Sequence, residues 1–313
     1  MRCAAARTYP ASRRLGAPRS RKERFEVFPI GVNTWIWESP LTDDTLAALA
    51  PRIRGFGADA IELPVEEPGD WDPAAARKVL DDHGLAPAAV IAVIPPGRDL
   101  VAADLPTVTR AQDYLRHCVD VAAQVGAPVV AGPMYAGVGR TWRMDPGERA
   151  RHYAELRAGL APVAEHARAA GVRLAVEPLN RYETSLLNTV AQAMEALDGL
   201  PAESVGLALD VYHMNIEEHD LIGPVGAAGS RIAHVQVCAN DRGAPGADHL
   251  DWPGFLTALR DANYTGPLCI ESFTAHNATI AVAASIWRPL ARSQDAIAAD
   301  GIAFLRRMTV PPS

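Results

Sequence analysis

Short apolar segments alternate along the chain with longer stretches in which apolar residues recur at helical spacing. The short segments are rich in Val, Ile and Ala, and we predict them as β-strands. They occupy eight ranges: Phe28–Trp37, Ala58–Val65, Ala86–Ile94, Ala127–Tyr135, Val172–Pro178, Val205–Val211, Ile232–Cys238 and Gly266–Phe273. Helices are predicted over about 43–56, 73–83, 106–125, 146–170, 189–198, 217–228, 253–263 and 291–308.

The order of these elements predicts the fold. Strands that are apolar along their whole length are buried on both faces, as in a parallel sheet. Eight strand–helix units in succession are typical of a (β/α)8 TIM barrel, an α/β fold that forms a single domain. A doubly wound sheet is the alternative, but it usually carries a glycine-rich turn after its first strand, whereas Gly31 stands alone here. We therefore expect a barrel over residues 27–313.

The N-terminal segment differs from the barrel in charge. Residues 1–26 contain eight basic and two acidic residues, although the whole chain of 313 residues carries a formal charge of −7. They lack an apolar core of the signal-peptide type, so we expect a disordered basic extension. The acidic balance of the remainder argues against nucleic-acid binding. No uncharged apolar run reaches about 18 residues, which argues against a membrane span.

Cysteine and lysine usage narrows the chemistry. The four cysteines include no C-x-x-C pair, and Cys118, Cys238 and Cys269 stand in apolar surroundings. We expect them to be core residues of a protein in the reducing cytoplasm. The only lysines are Lys22 and Lys78. Because a Schiff base needs a lysine at a desolvated site, Schiff-base aldolases and pyridoxal enzymes are excluded.

Oxygen-bearing side chains stand at or near the ends of the last four predicted strands. They are Glu177, Asp210, Gln236 and Glu271. Active sites of barrels form where the strands end, so these side chains are expected to converge. Carboxylates brought together repel one another, and a divalent cation relieves that repulsion. Oxygen ligands without a thiolate favour Mn²⁺, Mg²⁺ or Co²⁺. A single acid after a strand is equally well explained as a helix cap, so the hypothesis depends on all four.

Three further side chains lie in the loops beside these residues. Glu183 follows Glu177 by six positions, His213 follows Asp210 by three, and Arg242 lies in the loop after Gln236. Each has an ordinary explanation as a surface or capping residue. Together they supply the acid, imidazole and guanidinium that would orient a polyhydroxylated carbonyl compound. The loops after the last two strands lack lysine and a glycine-rich phosphate cradle, which favours an unphosphorylated substrate.

Several motifs resemble the ketose 3-epimerases, the D-tagatose and D-allulose 3-epimerases of the xylose isomerase-like barrel superfamily. The resemblance covers residues 28–308 and is strongest over 209–218 (LDVYHMNIEE). Five other stretches share it: 177–183 (EPLNRYE), 187–189 (LNT), 262–266 (ANYTG), 270–273 (IESF) and 286–288 (IWR).

The resemblance implies roles for the strand-end residues. Glu177, Asp210, Gln236 and Glu271 would bind Mn²⁺ or a similar ion, Mg²⁺ or Co²⁺ being the alternatives. Glu177 and Glu271 would also serve as the acid/base pair. The substrate-orienting residues of the family fall on Glu183, His213 and Arg242. Relatives are commonly homodimers or homotetramers, so the same is expected here.

The chain departs from the ketose 3-epimerase pattern at two places. The third ligand of the family is usually the second histidine of a His-x-His pattern, and here that position is Gln236, after His234. With a glutamine at this position, the chain resembles the hydroxypyruvate isomerases. The loop 240–246 is one residue longer than the epimerase pattern, which leaves Arg242 and Asp241 as alternatives for the orienting position.

These observations favour a metal-dependent epimerase that acts on a free keto-sugar through an enediolate. An aldose–ketose or hydroxypyruvate-type isomerase is the first alternative, since one base moving a proton between adjacent carbons would isomerise instead of epimerise. A C-glycoside-cleaving lyase subunit and a non-catalytic sugar-binding barrel are the others.

Overall fold

The computed structural model describes residues 27–309. Its sheet consists of eight parallel strands that pair in sequence order and close into a barrel, β1 with β8. The strands are β1 (Ile30–Asn33), β2 (Ala60–Val65), β3 (Ala86–Ala92), β4 (Val129–Gly132), β5 (Arg173–Val176), β6 (Val205–Asp210), β7 (Ile232–Val237) and β8 (Leu268–Ile270). The predicted α/β barrel is confirmed. The basic extension over residues 1–26 lies outside the described residues.

Helices follow the strands and cover the outside of the barrel. They are α1 (Asp43–Gly55), α2 (Pro73–His83), α3 (Leu105–Val125), α4 (Pro146–Ala170), α5 (Val190–Ala196), α6 (Val211–Glu217), α7 (Ile222–Ala228), α8 (Trp252–Asp261), α9 (Ala278–Ala283) and α10 (Gln294–Thr309). Within residues 27–309, no helix combines the length and apolar character that crossing a lipid bilayer requires.

Local sequence signals account for the well-predicted helix ends. The Asp145 side chain accepts a hydrogen bond from the Glu148 backbone N–H, and Glu148 bonds back to the Asp145 N–H. This reciprocal pair satisfies two of the donors that a helix start leaves free, and it begins α4 at Pro146. At the other end Gly171 adopts a φ of 73°, a left-handed conformation that glycine adopts without strain and that ends the helix.

Two predicted boundaries are wrong for local reasons. The predicted first strand runs to Trp37, but β1 ends at Asn33, whose side-chain oxygen accepts a hydrogen bond from the Trp35 backbone N–H and starts a short 3₁₀ turn. The predicted helix over 217–228 is shortened to α7, which begins at Ile222, and the separate helix α6 that precedes it was not predicted. Helix α6 begins directly after β6 because the Asp210 carboxylate accepts a hydrogen bond from the Tyr212 N–H and caps it. Helix α9 was not predicted.

The core lies in two layers. Large aliphatic side chains fill the space between the sheet and the helices, whereas small residues fill the barrel interior, among them Ala89, Ala131, Ala175 and Ala208. Gly31 of β1 pairs with Cys269 of β8, and a Cβ atom at Gly31 would lie 2.5 Å from the Cys269 Sγ. This crowding explains the lone glycine, and it has no connection with a phosphate-binding turn.

Candidate active site

Four consecutive strands deliver the oxygen-bearing side chains to one end of the barrel. Glu177 follows β5 directly, Asp210 ends β6, and Glu271 follows β8. Gln236 lies in β7 and pairs in register with Asp210. All four are buried. The structure therefore brings together the residues predicted as metal ligands, while their ligand role remains a prediction.

Arg242 lies at the centre of this group. Its Nη1 donates hydrogen bonds to the Asp210 Oδ2 and, at 2.9 Å, to the Glu271 Oε2. Its Nη2 lies 3.0 Å from the His213 Nε2, and the guanidinium stacks 4.1 Å from the centre of the Tyr212 ring. Arg242 has a φ of 70°, uncommon for a side-chain-bearing residue, and this conformation turns its side chain into the site.

The alternative assignment of Asp241 does not fit the structure. The Asp241 carboxylate accepts a hydrogen bond of 2.6 Å from Arg288, and both side chains are substantially exposed. Arg242 is only 5% exposed and reaches the strand ends. The longer loop after β7 therefore presents its arginine, not its aspartate, to the candidate site.

His213 faces two of the carboxylates. Its Nε2 lies 3.5 Å from the Glu177 Oε1 and 3.8 Å from the Asp210 Oδ2. Its other nitrogen, Nδ1, accepts a hydrogen bond of 3.1 Å from the Asn180 backbone N–H. A backbone donor at Nδ1 leaves Nε2 as the nitrogen that carries the proton in the neutral ring, so the 3.0 Å approach of the Arg242 Nη2 to Nε2 is a contact and not a hydrogen bond. Ligand atoms of Glu177, Asp210 and His213 all lie within 4.8 Å of one another.

Glu183 lies farther out, in the loop after β5, and is half-buried. Its Oε1 accepts a hydrogen bond of 2.7 Å from the Asn180 side-chain amide, whose nitrogen is also 2.9 Å from the His213 Nδ1. Asn180 therefore links Glu183 to His213, a role that the sequence analysis missed. Its position in the motif EPLNRYE was the available signal.

Gln236 is held by two carboxylates. Its Nε2 donates to the Glu271 Oε1 at 2.7 Å and to the Glu62 Oε2 at 3.1 Å. Its Oε1 is buried and accepts no hydrogen bond from any residue in 27–309. Buried polar atoms are normally paired, so an unpaired amide oxygen among carboxylates indicates an acceptor kept for a ligand. Glu62, in the middle of β2, was also missed by the sequence analysis.

Burial and mutual repulsion shift the protonation of the acidic residues. The pKa of Glu177 is raised well above its usual value by burial, then by the neighbouring Glu271 and Asp210. Burial and the nearby Asp210 and Glu62 likewise raise the pKa of Glu271, although Arg242 opposes the shift. Burial would also raise the pKa of Asp210, but the Arg242 guanidinium and His213 outweigh it and lower that pKa.

The set of charges fits a divalent cation. Glu177, Asp210 and Glu271 supply three carboxylates, and Arg242 supplies one positive charge. Burial lowers the pKa of His213, so the imidazole is neutral at physiological pH and does not offset the negative charge of the carboxylates. Once all three are ionised, these carboxylates exceed the charge of Arg242 by two, and together with the unpaired amide oxygen of Gln236 they match the charge and ligand preference of a hard divalent ion.

Comparisons with known proteins agree with this description. The profile of the family described as "Xylose isomerase-like TIM barrel" matches residues 51–308. A probable ketose 3-epimerase of Synechocystis sp. is 33% identical over 88% of this chain and 95% of its own length. A ketose 3-epimerase of Arthrobacter globiformis is 30% identical over the same shares. A D-allulose 3-epimerase from Methylomonas sp., solved with D-allulose, superposes with a TM-score of 0.82 at 26% identity over 90% of this chain and 96% of its own.

Proposed function

Because the chain belongs to the xylose isomerase-like TIM barrel family and is a carbohydrate epimerase of it, we propose that it inverts a free ketose at C3, with Glu177 and Glu271 as the acid/base pair. The match to the family and to its curated members confirms the resemblance found in the sequence. The observation that carries the proposal is the presence of these two buried glutamates at the ends of β5 and β8, in one group with Arg242 and His213.

The two glutamates are suited to moving a proton. A C–H bond next to a carbonyl group is weakly acidic, and a base whose pKa lies near neutrality removes and returns its proton efficiently. Burial raises the pKa of both side chains in that direction. One glutamate takes the proton from C3, which leaves an enediolate, and the other returns a proton to the opposite face. Inversion at C3 follows.

The remaining polar groups would hold the sugar. Arg242 donates toward the centre of the group and would bind the oxygen that gains negative charge. His213 presents its Nε2 beside Glu177 and would donate to a neighbouring hydroxyl. Glu183, steadied by Asn180, would accept a hydrogen bond from a hydroxyl farther along the chain of the sugar.

A divalent cation would be held by Glu177, Asp210, Gln236 and Glu271. When bound, it supplies Lewis-acid polarisation of the carbonyl oxygen and neutralises the excess negative charge. Mn²⁺ is the proposed ion because the donor set consists of oxygens and Mn²⁺ suits carboxylate and carbonyl ligands; Mg²⁺ and Co²⁺ are the alternatives.

The test is turnover in D₂O by the metal-free protein reloaded with Mn²⁺. We expect D-allulose and its C3 epimer to interconvert, with deuterium appearing at C3. Glu177→Gln and Glu271→Gln each remove a proton acceptor, and each should lower turnover by roughly 10²- to 10⁴-fold. Glu165→Gln, on the exposed face of α4, is the matched control and should not change the rate.

The distribution of deuterium separates the alternatives. Formation of an aldose with deuterium at C2, together with deuterium at C1 of the recovered ketose, would indicate isomerisation instead of epimerisation. Failure to exchange deuterium into any of a panel of free ketoses, with Mn²⁺ bound, would contradict the proposed function. Near wild-type exchange by either glutamine variant would contradict the two-base scheme.

The oligomeric state and the cellular location of the enzyme are two further proposals. Val282 in α9 and Trp287 just after it expose large apolar side chains, 62% and 72% accessible. We propose that they pack in a homodimer or homotetramer; a monomer found by light scattering at micromolar concentration would contradict this. The three buried, unpaired cysteines support a cytoplasmic setting.

We also propose that residues 1–26 do not take part in the barrel. A chain that begins at Phe25 should keep the thermal stability and activity of the full chain. A large loss of either would show that the basic segment packs against the barrel or contributes to the site.

A further inference from the structure

Glu62 is a buried carboxylate in the middle of an otherwise apolar strand, β2. Its Oε1 lies 2.5 Å from the His234 Nε2, and its Oε2 accepts hydrogen bonds from the Asn33 side-chain amide at 2.7 Å and from Gln236 at 3.1 Å. Both oxygens therefore have partners within the barrel. The carboxylate crosses from β2 to β7, which are separated in the sheet by β1 and β8.

This carboxylate determines which way the amide of Gln236 faces. A side-chain amide has two orientations that differ only in the exchange of oxygen and NH₂. At Gln236, the NH₂ group meets Glu62 on one side and Glu271 on the other. An ionised carboxylate accepts but does not donate hydrogen bonds, so the exchanged orientation would place an oxygen against the acceptor oxygens of Glu62 and, once cation binding has removed its proton, of Glu271. The observed orientation leaves Oε1 as the unpaired atom.

We propose that Glu62 is a positioning residue that holds the Gln236 amide with its oxygen available to the cation. This inference rests on the proposed function, since it assumes that Gln236 is a ligand. Groups behind a ligand commonly fix its orientation, and their loss lowers metal affinity by roughly 10- to 100-fold. An amide ligand depends on such positioning more than a carboxylate does, because only one of its two terminal atoms can bind a cation.

Glu62→Gln is the direct test. The new side chain would present its own NH₂ to one of the donors around it, so the Gln236 amide could turn and use its oxygen as the acceptor. The substitution also removes a negative charge, which lowers cation affinity by itself. A double-mutant cycle with Gln236→Leu separates the two effects, because a positioning role acts only through the Gln236 oxygen.

The readout is Mn²⁺ affinity, measured by titration calorimetry on each metal-free protein. We expect Glu62→Gln to lower the affinity by roughly 10- to 100-fold in the wild-type background and by less than about threefold in the Gln236→Leu background. Glu66→Gln is the matched control: Glu66 directly follows β2, but its carboxylate accepts hydrogen bonds from Trp35 and Ser39. It should leave Mn²⁺ affinity unchanged.

Glu62→Asp provides a second variant that keeps the charge but shortens the side chain by one methylene. It should also lower Mn²⁺ affinity, and circular dichroism of each metal-free protein checks folding. Equal losses from Glu62→Gln in both backgrounds, or full affinity in Glu62→Asp, would overturn the positioning role. Wild-type protein that binds no Mn²⁺ and exchanges no deuterium into ketoses would instead contradict the proposed function.

Discussion

Replacing Arg242 by methionine should destabilise the metal-free protein strongly. Methionine keeps most of the length of the side chain and has the same backbone requirement at a φ of 70°, so backbone strain does not change between the two proteins. The hydrogen bonds to Asp210 and Glu271 and the contact with His213 disappear. The buried acidic side chains of Asp210 and Glu271 then face each other without a positive charge between them.

The size of the effect follows from the cost of an uncompensated buried charge. Removing one partner of a buried ion pair costs about 3–5 kcal/mol. We expect the lower end, about 3 kcal/mol, because the raised pKa of Glu271 keeps that side chain protonated and leaves Asp210 as the uncompensated charge. A barrel of this length has an unfolding entropy of about 0.6 kcal/mol/K. A loss of about 3–5 kcal/mol should therefore lower the melting temperature by about 5–8 °C.

The assay is thermal and urea unfolding in EDTA. Arg168→Met is the matched control, since Arg168 pairs with Glu165 on the surface of α4 and is 58% exposed. Its loss should leave the melting temperature almost unchanged, because exposed ion pairs contribute little to stability. Adding Mn²⁺ should reduce the loss of stability that Arg242→Met causes, because the cation neutralises the same carboxylates. If Arg242→Met unfolded at the wild-type temperature in EDTA, the inference that Arg242 compensates these carboxylates would be refuted.

Three further substitutions or reactions test other features. Gln236→Leu should remain folded but lose metal content after dialysis, and full occupancy would remove Gln236 from the ligands. Cys118, Cys238 and Cys269 are buried, and burial raises the pKa of each thiol, that of Cys118 to about 12; none of the three should react with Ellman's reagent in the native protein, and rapid modification of any of them would contradict the burial. Gly31→Ala should cost about 1–3 kcal/mol through overpacking, and Cys269→Ala in the same chain should recover most of it in urea unfolding.

The fold was predictable because each β/α unit carries its own signals. The capping pair at the start of α4 and the glycine at its end are local, and a run of eight such units allows few architectures. Helix α6 was not predicted because it follows β6 without an intervening loop. Helix α9 has only six residues and, unlike α5, no capping box marks its start. The cap that starts α6 is Asp210, which also ends β6, so one residue belongs to two elements.

The candidate site was predictable only in part. Glu177, Asp210 and Glu271 follow apolar strands, and parallel strands all end at one face of a barrel, so their convergence could be expected. Glu62 stands 172 positions from His234 and 174 from Gln236, and nothing local links these residues. A charged residue inside an apolar strand was the available signal. The position of Arg242 depended on a loop conformation with a positive φ, which spacing cannot determine.

The raised pKa values of Glu177 and Glu271 allow a prediction of how metal binding depends on pH. Because the pKa values of Glu177 and Glu271 are raised, both carboxyls keep protons in the metal-free enzyme at a pH where an exposed glutamate is ionised. A cation binds only the deprotonated form, so loading should release protons and Mn²⁺ affinity should rise with pH until both raised values are passed. Calorimetry in buffers of different ionisation enthalpy counts the protons, and Glu177→Gln should reduce the count. Release of no protons anywhere between mildly acidic and neutral pH would mean that both glutamates are already ionised without a cation, and Arg242 would then have to compensate three charges alone.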